Sequence, residues 1–438
     1  MNNLKLASAI ALALGGISAA QAGTAPTLAQ CQSPTDLLFV AGSSAAQNAF
    51  ANALNTDAFG GAGVTFKASN GNFEAFCGIS SNASFAPVGN PVVVHYRAEG
   101  GSVTGALPIV SSKPIKFLNL AAATALGQTL TTTGTSSTVG TTDGWGGALI
   151  SHTVEVGVTD LEPAQFVAKN YPTAYSATVF GSASPAQLNA LTKTVLFDQV
   201  FGLFVNTSGL NGGGTGQALN LSKQTYANIL DGTYTDWSEV PTTTFSGGVP
   251  TASVASTVAA PITLINREAG SGTRTGASIY FLGYNCGQTS TAVSDPNPTT
   301  DYYATSDELA AASSTPGGIA YASIDNAGKA NLTTVSLNGI APSNLATTTG
   351  DYQWWFEAQL IKGTITSTGG PTIYSFLATE LANVNTAPHA ADILAVPGAG
   401  SPKNAISIPA AANTNEPGSP IYVNAYTHSS NSCSIPAP

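Results

Sequence analysis

The chain has 438 residues, of which 8% are charged and 43% hydrophobic, with a formal net charge of −10. A chain this poor in Lys and Arg excludes nucleic acid as a partner, because clustered basic side chains are what hold a phosphate backbone. The hydrophobic fraction excludes global disorder, and the length suits two domains or one large bilobal unit.

Residues 1–22 read as an export signal, with Lys5 first, then the apolar "LASAIALALGGISAA", then the small-x-small site Ala20-Gln21-Ala22. The apolar stretch is short for a membrane anchor, so the mature chain is expected to start near Gly23 and to be periplasmic or secreted. Cys31, Cys77, Cys286 and Cys433 all follow this segment. In an oxidising compartment they are expected to form two disulfides, with three pairings open.

"TDLLFVAGSSAAQNAFANAL" predicts a buried strand, a tight Gly-Ser-Ser turn and a helix, and "NPVVVHYRAEGGSVTGALPI" repeats that pattern. Residues 118–148 are rich in Thr, Gly and Ala and read as a surface insertion, with one short helix in "LNLAAATALGQTL". "HTVEVGVTDLEPAQFVAKN" predicts a strand ending at Asp160, then a helical run after Pro163. "TVLFDQVFGLFVN" fits a strand crossing between lobes, and "LSKQTYANILDGTYTDWSEV" a Ser-capped helix stopping at Asp231-Gly232. Residues 242–258 and 287–304 read as loops. Between them, "PITLINREAGSGTRTGASIYFL" is a third strand–turn–helix. "GGIAYASIDNAG" and "YQWWFEAQLIKG" predict strands, the second returning to the first lobe, and "TIYSFLATELANV" a late helix. The tail after Pro397 is expected to wrap the surface, tied by Cys433. Strands alternating with helices predict an α/β fold with a mainly parallel sheet. Ligands of such sheets gather where the carboxyl ends of strands meet helix N-termini.

The Gly/Ser turns carry the chemistry. A glycine-bearing turn that opens a helix leaves backbone N–H groups unpaired, and these favour an anion; the plainer reading is an ordinary N-cap. The chain has three arginines, Arg97, Arg267 and Arg274, each beside such a turn. Their planar fork of donors suits an oxyanion. "GSGTRTG" lacks the Lys-Ser/Thr end of a nucleotide P-loop, and the chain has no G-x-S-x-G nucleophile elbow. His95, His152, His389 and His428 show no metal-ligand spacing. His95 is expected to pack within its strand, and Trp354 and Trp355 in the core.

In this order, "VAGSSAAQNAF", "HYRAEGGSVTG", "VEVGVTD", "LSKQTYANILDGTYTDW", "INREAGSGTRTG" and "GGIAYAS" together resemble the phosphate-binding proteins of bacterial phosphate ABC transporters and their secreted relatives. The Arg-to-Gly-Ser-Gly-Thr signature is the most specific piece. The resemblance implies a bilobal periplasmic-binding-protein-like fold, two α/β lobes joined by strand crossovers, with 23–200 and 351–438 in lobe 1 and 201–350 in lobe 2. It implies phosphate bound in the cleft by Ser44 and the Ala45 backbone, Ser102 and Asp160, and by Arg267, Ser271, the Gly272 backbone and Thr273. Asp160 would accept the phosphate's own O–H, which sulfate lacks. Ala269 stands where some members carry an acid, Glu268 being the neighbouring acid here, and Ala320 where Gly is usual. The implied partners are inorganic phosphate and an inner-membrane ABC permease; no cofactor, metal or catalysis is expected. The alternatives are a secreted structural or adhesive protein, or a phosphatase-type protein, on the same fold.

Overall fold

The structure, a computed structural model, describes residues 23–133, 145–167, 170–171, 178–211, 213, 216–246, 249–283, 300–382, 393–394, 407–408, 421–422, 424, 426–429 and 431–434. The expected export signal, Cys286 and most of the expected loop at 287–304 lie outside these. The main elements in chain order are β1 (Asp36–Gly42), α1 (Gln47–Ala53), β2 (Val64–Ala68), β3 (Phe73–Ile79), β4 (Pro91–Arg97), β5 (Val156–Thr159) and β6 (Lys193–Val205). There follow α2 (Lys223–Leu230), β7 (Thr263–Arg267), α3 (Gly272–Leu282), β8 (Thr300–Tyr302), α4 (Thr305–Ser314), β9 (Gly318–Ser323), β10 (Thr333–Leu337), β11 (Trp355–Lys362) and α5 (Gly370–Glu380).

The β1 sequence "DLLFVAG" is buried on both faces over almost its whole length, the pattern of a strand covered on both sides. It runs parallel to β4, with Leu38 opposite Val94 and Ala41 opposite Arg97, and parallel to β5, with Gly42 opposite Val158. Three strand ends, at Gly42, Arg97 and Thr159, are therefore neighbours, and the turns that follow them are brought together. Gly42 is required there: its φ is +138°, and a Cβ would overlap the Val158 carbonyl.

β6 links two halves of one sheet. Its first residues pair antiparallel with β11 (Lys193 opposite Ile361, Val200 opposite Trp355), and its last with β9 (Phe201 opposite Ser323, Val205 opposite Ile319). β9 is parallel to β7, and β7 to β8. β11 returns to pair with β5. The strand order is thus β8-β7-β9-β6-β11-β5-β1-β4-β3-β2, with a short final strand at Thr129–Leu130. The two crossing strands confirm the roles read for "TVLFDQVFGLFVN" and "YQWWFEAQLIKG". Trp354 and Trp355 are both buried there, Trp354 against Phe201. Cys31 is disulfide-bonded to Cys77, and Cys433 is also disulfide-bonded. No helix among the described residues is long and apolar enough to cross a membrane.

Several expectations are corrected. The sheet is mixed rather than mainly parallel, because β11 runs antiparallel to β5 and β6, β6 to β9, and β3 to β4 and β2. Among the described residues, the helical run after Asp160 is the 3-10 turn Pro163–Gln165, and "LNLAAATALGQTL" holds the 3-10 turn Leu120–Ala122, beside the paired strands Ile115–Leu118 and Leu149–His152. At residues 242–258, read as loop, the strands Pro241–Ser246 and Val249–Val254 pair antiparallel. In the described part of the tail, Asn424, His428 and Ser432 are buried and Ser429 and Asn431 are exposed.

Candidate functional site

One wall of the site comes from the turns after β1, β4 and β5. At the end of β1, the Ser43 N–H donates to the Val158 carbonyl (2.9 Å), and the Ser43 hydroxyl donates to Asp160 Oδ1. Tyr96 holds the same turn from below, its hydroxyl donating to the Ser43 carbonyl at 2.6 Å. After β4, the chain turns through Gly100 and Gly101, and the Ser102 hydroxyl accepts the Asp160 N–H at 3.1 Å. Asp160 is thereby fastened to both neighbouring turns.

The facing wall comes from β7 and α3. Arg267 ends the strand and Ser271 caps the helix, its hydroxyl accepting the Arg274 N–H at 3.3 Å. The two walls touch. Val103 N–H donates to the Gly270 carbonyl at 2.9 Å. A Cβ on Gly272 would overlap Asp160 Oδ2 and Ser102 Oγ, and one on Gly101 would lie 3.1 Å from Ser271 Cα and 3.3 Å from Arg267 Nη2. Arg267 Nη1 lies 3.5 Å from Ser44 Oγ. Asn48 in α1 adds a bond to Asp325, on the β9 side, at 3.0 Å.

Among the described residues, the backbone N–H groups of Ala45, Ser102, Gly272 and Thr273 have no hydrogen-bond acceptor. All four residues are buried. Unpaired buried N–H groups are uncommon because each forfeits a hydrogen bond that water would supply. Two of these begin α3, where the helix dipole also favours negative charge. Arg267, 1% exposed, adds the countercharge. The Asp160 carboxyl is pushed above its ordinary range by burial, against the pull of the Ser43 and Ser102 hydrogen bonds and the Arg267 charge. The arrangement is a dry, donor-rich cleft with one acid in it, suited to an oxyanion that brings a proton of its own.

The structure brings together Ser44, Ser102, Asp160, Arg267, Ser271 and Gly272 from the expected set. Ala45 and Thr273 stand beside them with their N–H groups, and no side-chain hydrogen bond of Thr273 enters the cluster among the described residues. Two functional groups escaped the sequence reading. Ser43, not Ser44, makes the bond to Asp160; adjacent serines in one turn look alike in sequence. Thr305 reaches both Ser44 and Arg267, and lies far from any Gly/Ser turn.

Two of the three arginines are held away from the cleft. Arg97 is committed to Glu99 in a fully buried ion pair, lies over the Phe73 and Phe180 rings, and donates to the Lys116 carbonyl at 3.2 Å. Arg274 is buried. It donates to the Arg267 carbonyl (2.7 Å) and to Asp301 (3.0 Å), fixing β7 to β8. Arg267 is the arginine of the three that reaches the cleft. His95 packs in its strand as expected, stacked on Phe39, and burial with the nearby His152 lowers its pKa to about 3. No group of His, Cys, Asp and Glu able to hold a metal ion occurs among the described residues.

The family model for the PBP superfamily domain matches residues 127–354, more than half of the chain. A search of curated proteins finds no match. Among solved structures, the chain is similar to an ABC-type phosphate transport receptor from Vibrio cholerae, with 13% identity, a TM-score of 0.40, and coverage of 78% of this chain and 94% of that one. It is similar to a phosphate-binding protein from Stenotrophomonas maltophilia, with 11% identity, a TM-score of 0.38, and coverage of 75% and 78%. It is also similar to PfluDING, a high affinity periplasmic phosphate-binding protein bound with phosphate, with 12% identity, a TM-score of 0.43, and coverage of 81% and 89%. Likeness of this depth carries no functional argument.

Proposed function

The chain belongs to the PBP superfamily, and on that premise we propose that it is an extracytoplasmic protein that captures inorganic phosphate in the cleft between two lobes. Residues 23–200 and 351–438 form one lobe and 201–350 the other. The captured ion is delivered to an ABC permease of the inner membrane. The observation that carries the reading is the set of four unpaired, buried N–H groups on the turns that meet at Asp160, together with the Arg267 charge.

Phosphate near neutral pH carries up to two negative charges and at least one proton. Arg267 supplies charge, and Ser44, Ser102, Ser271 and the N–H groups of Ala45, Gly272 and Thr273 saturate the oxygens. Asp160 accepts the remaining O–H. Sulfate has no such proton, so it would leave two acceptors facing each other in a dehydrated site, which costs several kcal/mol. No catalytic step is assigned.

Calorimetry on the purified mature chain, stripped of bound ligand, tests this with phosphate and sulfate. Phosphate is expected to bind at about micromolar or tighter, and sulfate at least ~100-fold more weakly. Arg267→Ala should weaken phosphate by about 100-fold, as removal of a buried charged donor does. Asp160→Asn should narrow the gap between the two anions. Unchanged phosphate affinity in both variants would remove the site assignment. Hydrolysis of a phosphate monoester, lost in Arg267→Ala, would replace the binding reading with a phosphatase one.

A further inference from the structure

The segment that joins β8 to α4 closes on Arg267. Nε of the guanidinium donates to the Tyr302 carbonyl at 3.2 Å, Nη2 to the Tyr303 carbonyl at 2.9 Å, and Nη1 to the Thr305 hydroxyl at 2.5 Å. The same Thr305 hydroxyl lies 2.9 Å from Ser44 Oγ, in the opposite wall of the cleft. A threonine at a helix start ordinarily caps the helix. Here the cap position is Ala304, with no side-chain cap bond. Both hydrogen bonds of the Thr305 side chain run to groups of the cleft.

We propose that Thr305 is a positioning residue of the oxyanion site, relaying the Arg267 charge to Ser44 across the cleft; this rests on the phosphate-binding reading above. The proton count supports it. Thr305 Oγ1 accepts the Nη1 proton, and the two hydroxyls share one hydrogen bond. If Ser44 donates, the Thr305 proton is left for the ligand; if Thr305 donates, the Ser44 proton is left. Either way the pair presents one O–H, polarised from behind by the guanidinium. Because Thr305 stands on the Arg267 side and Ser44 on the other, the bond forms only when the walls meet. Its loss therefore speeds release more than it slows capture.

Stopped-flow and calorimetry on Thr305→Val, Thr305→Ser, Ser44→Ala and the Ser44→Ala/Thr305→Val double variant test the relay, each with a thermal midpoint. Thr305→Val should weaken phosphate about tenfold, mostly as a faster off-rate, with the thermal midpoint near that of the unsubstituted protein. Thr305→Ser, which restores the hydroxyl, should bind within about threefold of the unsubstituted protein. The double variant should lose less than the product of the two single losses. If Thr305→Val does not fold, Thr305→Ala against Thr305→Ser gives the same contrast. Phosphate binding that is intact in the unsubstituted protein and equally strong in Thr305→Val overturns the relay alone. So does Thr305→Ser binding as weakly as Thr305→Val, because shape rather than the hydroxyl would then matter. An unsubstituted protein that binds no phosphate overturns the functional reading, and the relay with it.

Discussion

Glu308 is a carboxylic acid in a place where ionisation is costly. It lies in the first turn of α4 and is fully buried. Its Oε1 accepts the Tyr321 N–H at 3.2 Å, while Oε2 has no partner among the described residues. Burial raises its pKa to about 8, against the opposing pull of the Arg267 charge and the Tyr321 hydrogen bond. In the unfolded chain the same group titrates near its ordinary value. Between those limits the folded state holds a proton that the unfolded state has released, so stability is full below the unfolded value and is lost as pH rises towards about 8. The loss approaches about 1.4 kcal/mol per pH unit within that window. Glu308→Gln keeps the shape without the titration. Urea unfolding at pH 5 and pH 8 should therefore show a decline in the unsubstituted protein that is smaller by a few kcal/mol in Glu308→Gln. Parallel declines would mean that Glu308 is ionised in the fold. Nothing in "TSDELAAASS" marks this residue, because a glutamate near a helix start reads as a solvated partner of the dipole. Its burial comes from strand β9 packing over it, a long-range contact that no local pattern encodes.

At the scale of elements, the best-read features were those whose local chemistry is forced. The strand–turn–helix at Arg267–Thr273 was legible because a Gly-Ser-Gly turn can do little else, and Ser222 was legible as a cap because its hydroxyl accepts the Thr225 N–H, at 2.9 Å. The strand pair within 241–254 was missed because Val249–Val254 is exposed on both faces. Without a buried face there is no alternation to detect, although Thr and Val favour strands. The start of α3 yields a prediction of its own. Gly272 has no room for a side chain, because a Cβ would overlap Asp160 Oδ2 and Ser102 Oγ. Both obstacles belong to the opposite wall, so Gly272→Ala should leave the helix intact and hold the walls apart. We expect phosphate affinity to fall by about 100-fold. The thermal midpoint without ligand should change by no more than a few degrees. X-ray scattering with phosphate present should show a larger radius of gyration for the variant. Equal radii and equal affinities would mean that the walls yield around an alanine.

At the scale of the whole molecule, the two strands that cross between the halves carry a charge problem that the tail resolves. Asp198 in β6 stands opposite Glu357 in β11, and both are buried. Burial, then the neighbouring Glu357, push the Asp198 carboxyl well above its ordinary range, opposed by a hydrogen bond from Asn424. Two carboxyls side by side in a dry interior cannot both ionise cheaply unless donors reach them. The donors come from the end of the chain. Asn424 Nδ2 donates to Asp198 at 2.7 Å, and the Thr427 hydroxyl and the His428 N–H (2.9 Å) donate to Glu357. The Ser432 N–H (2.6 Å) and hydroxyl donate to Glu162, two residues beyond Asp160. The tail is thus a strap from the crossover strands to the turn that carries the acid of the cleft. A Pro- and Asn-rich tail gives no sign of this in sequence, since the acceptors lie from 70 to 270 residues earlier in the chain. Removing one anchor should release the strap and leave the sheet. Glu357→Ala deletes the acceptor of two donors and relieves Asp198 of a like-charged neighbour, so the net cost should be modest, about 1–3 kcal/mol. Hydrogen exchange should locate it: the His428 and Ser432 amides should exchange faster together, while Leu38, Val40 and Val94 in β1 and β4 keep their protection. Faster exchange at His428 with Ser432 unchanged would show that the Glu162 anchor holds independently, and that the tail is two separate attachments rather than one strap.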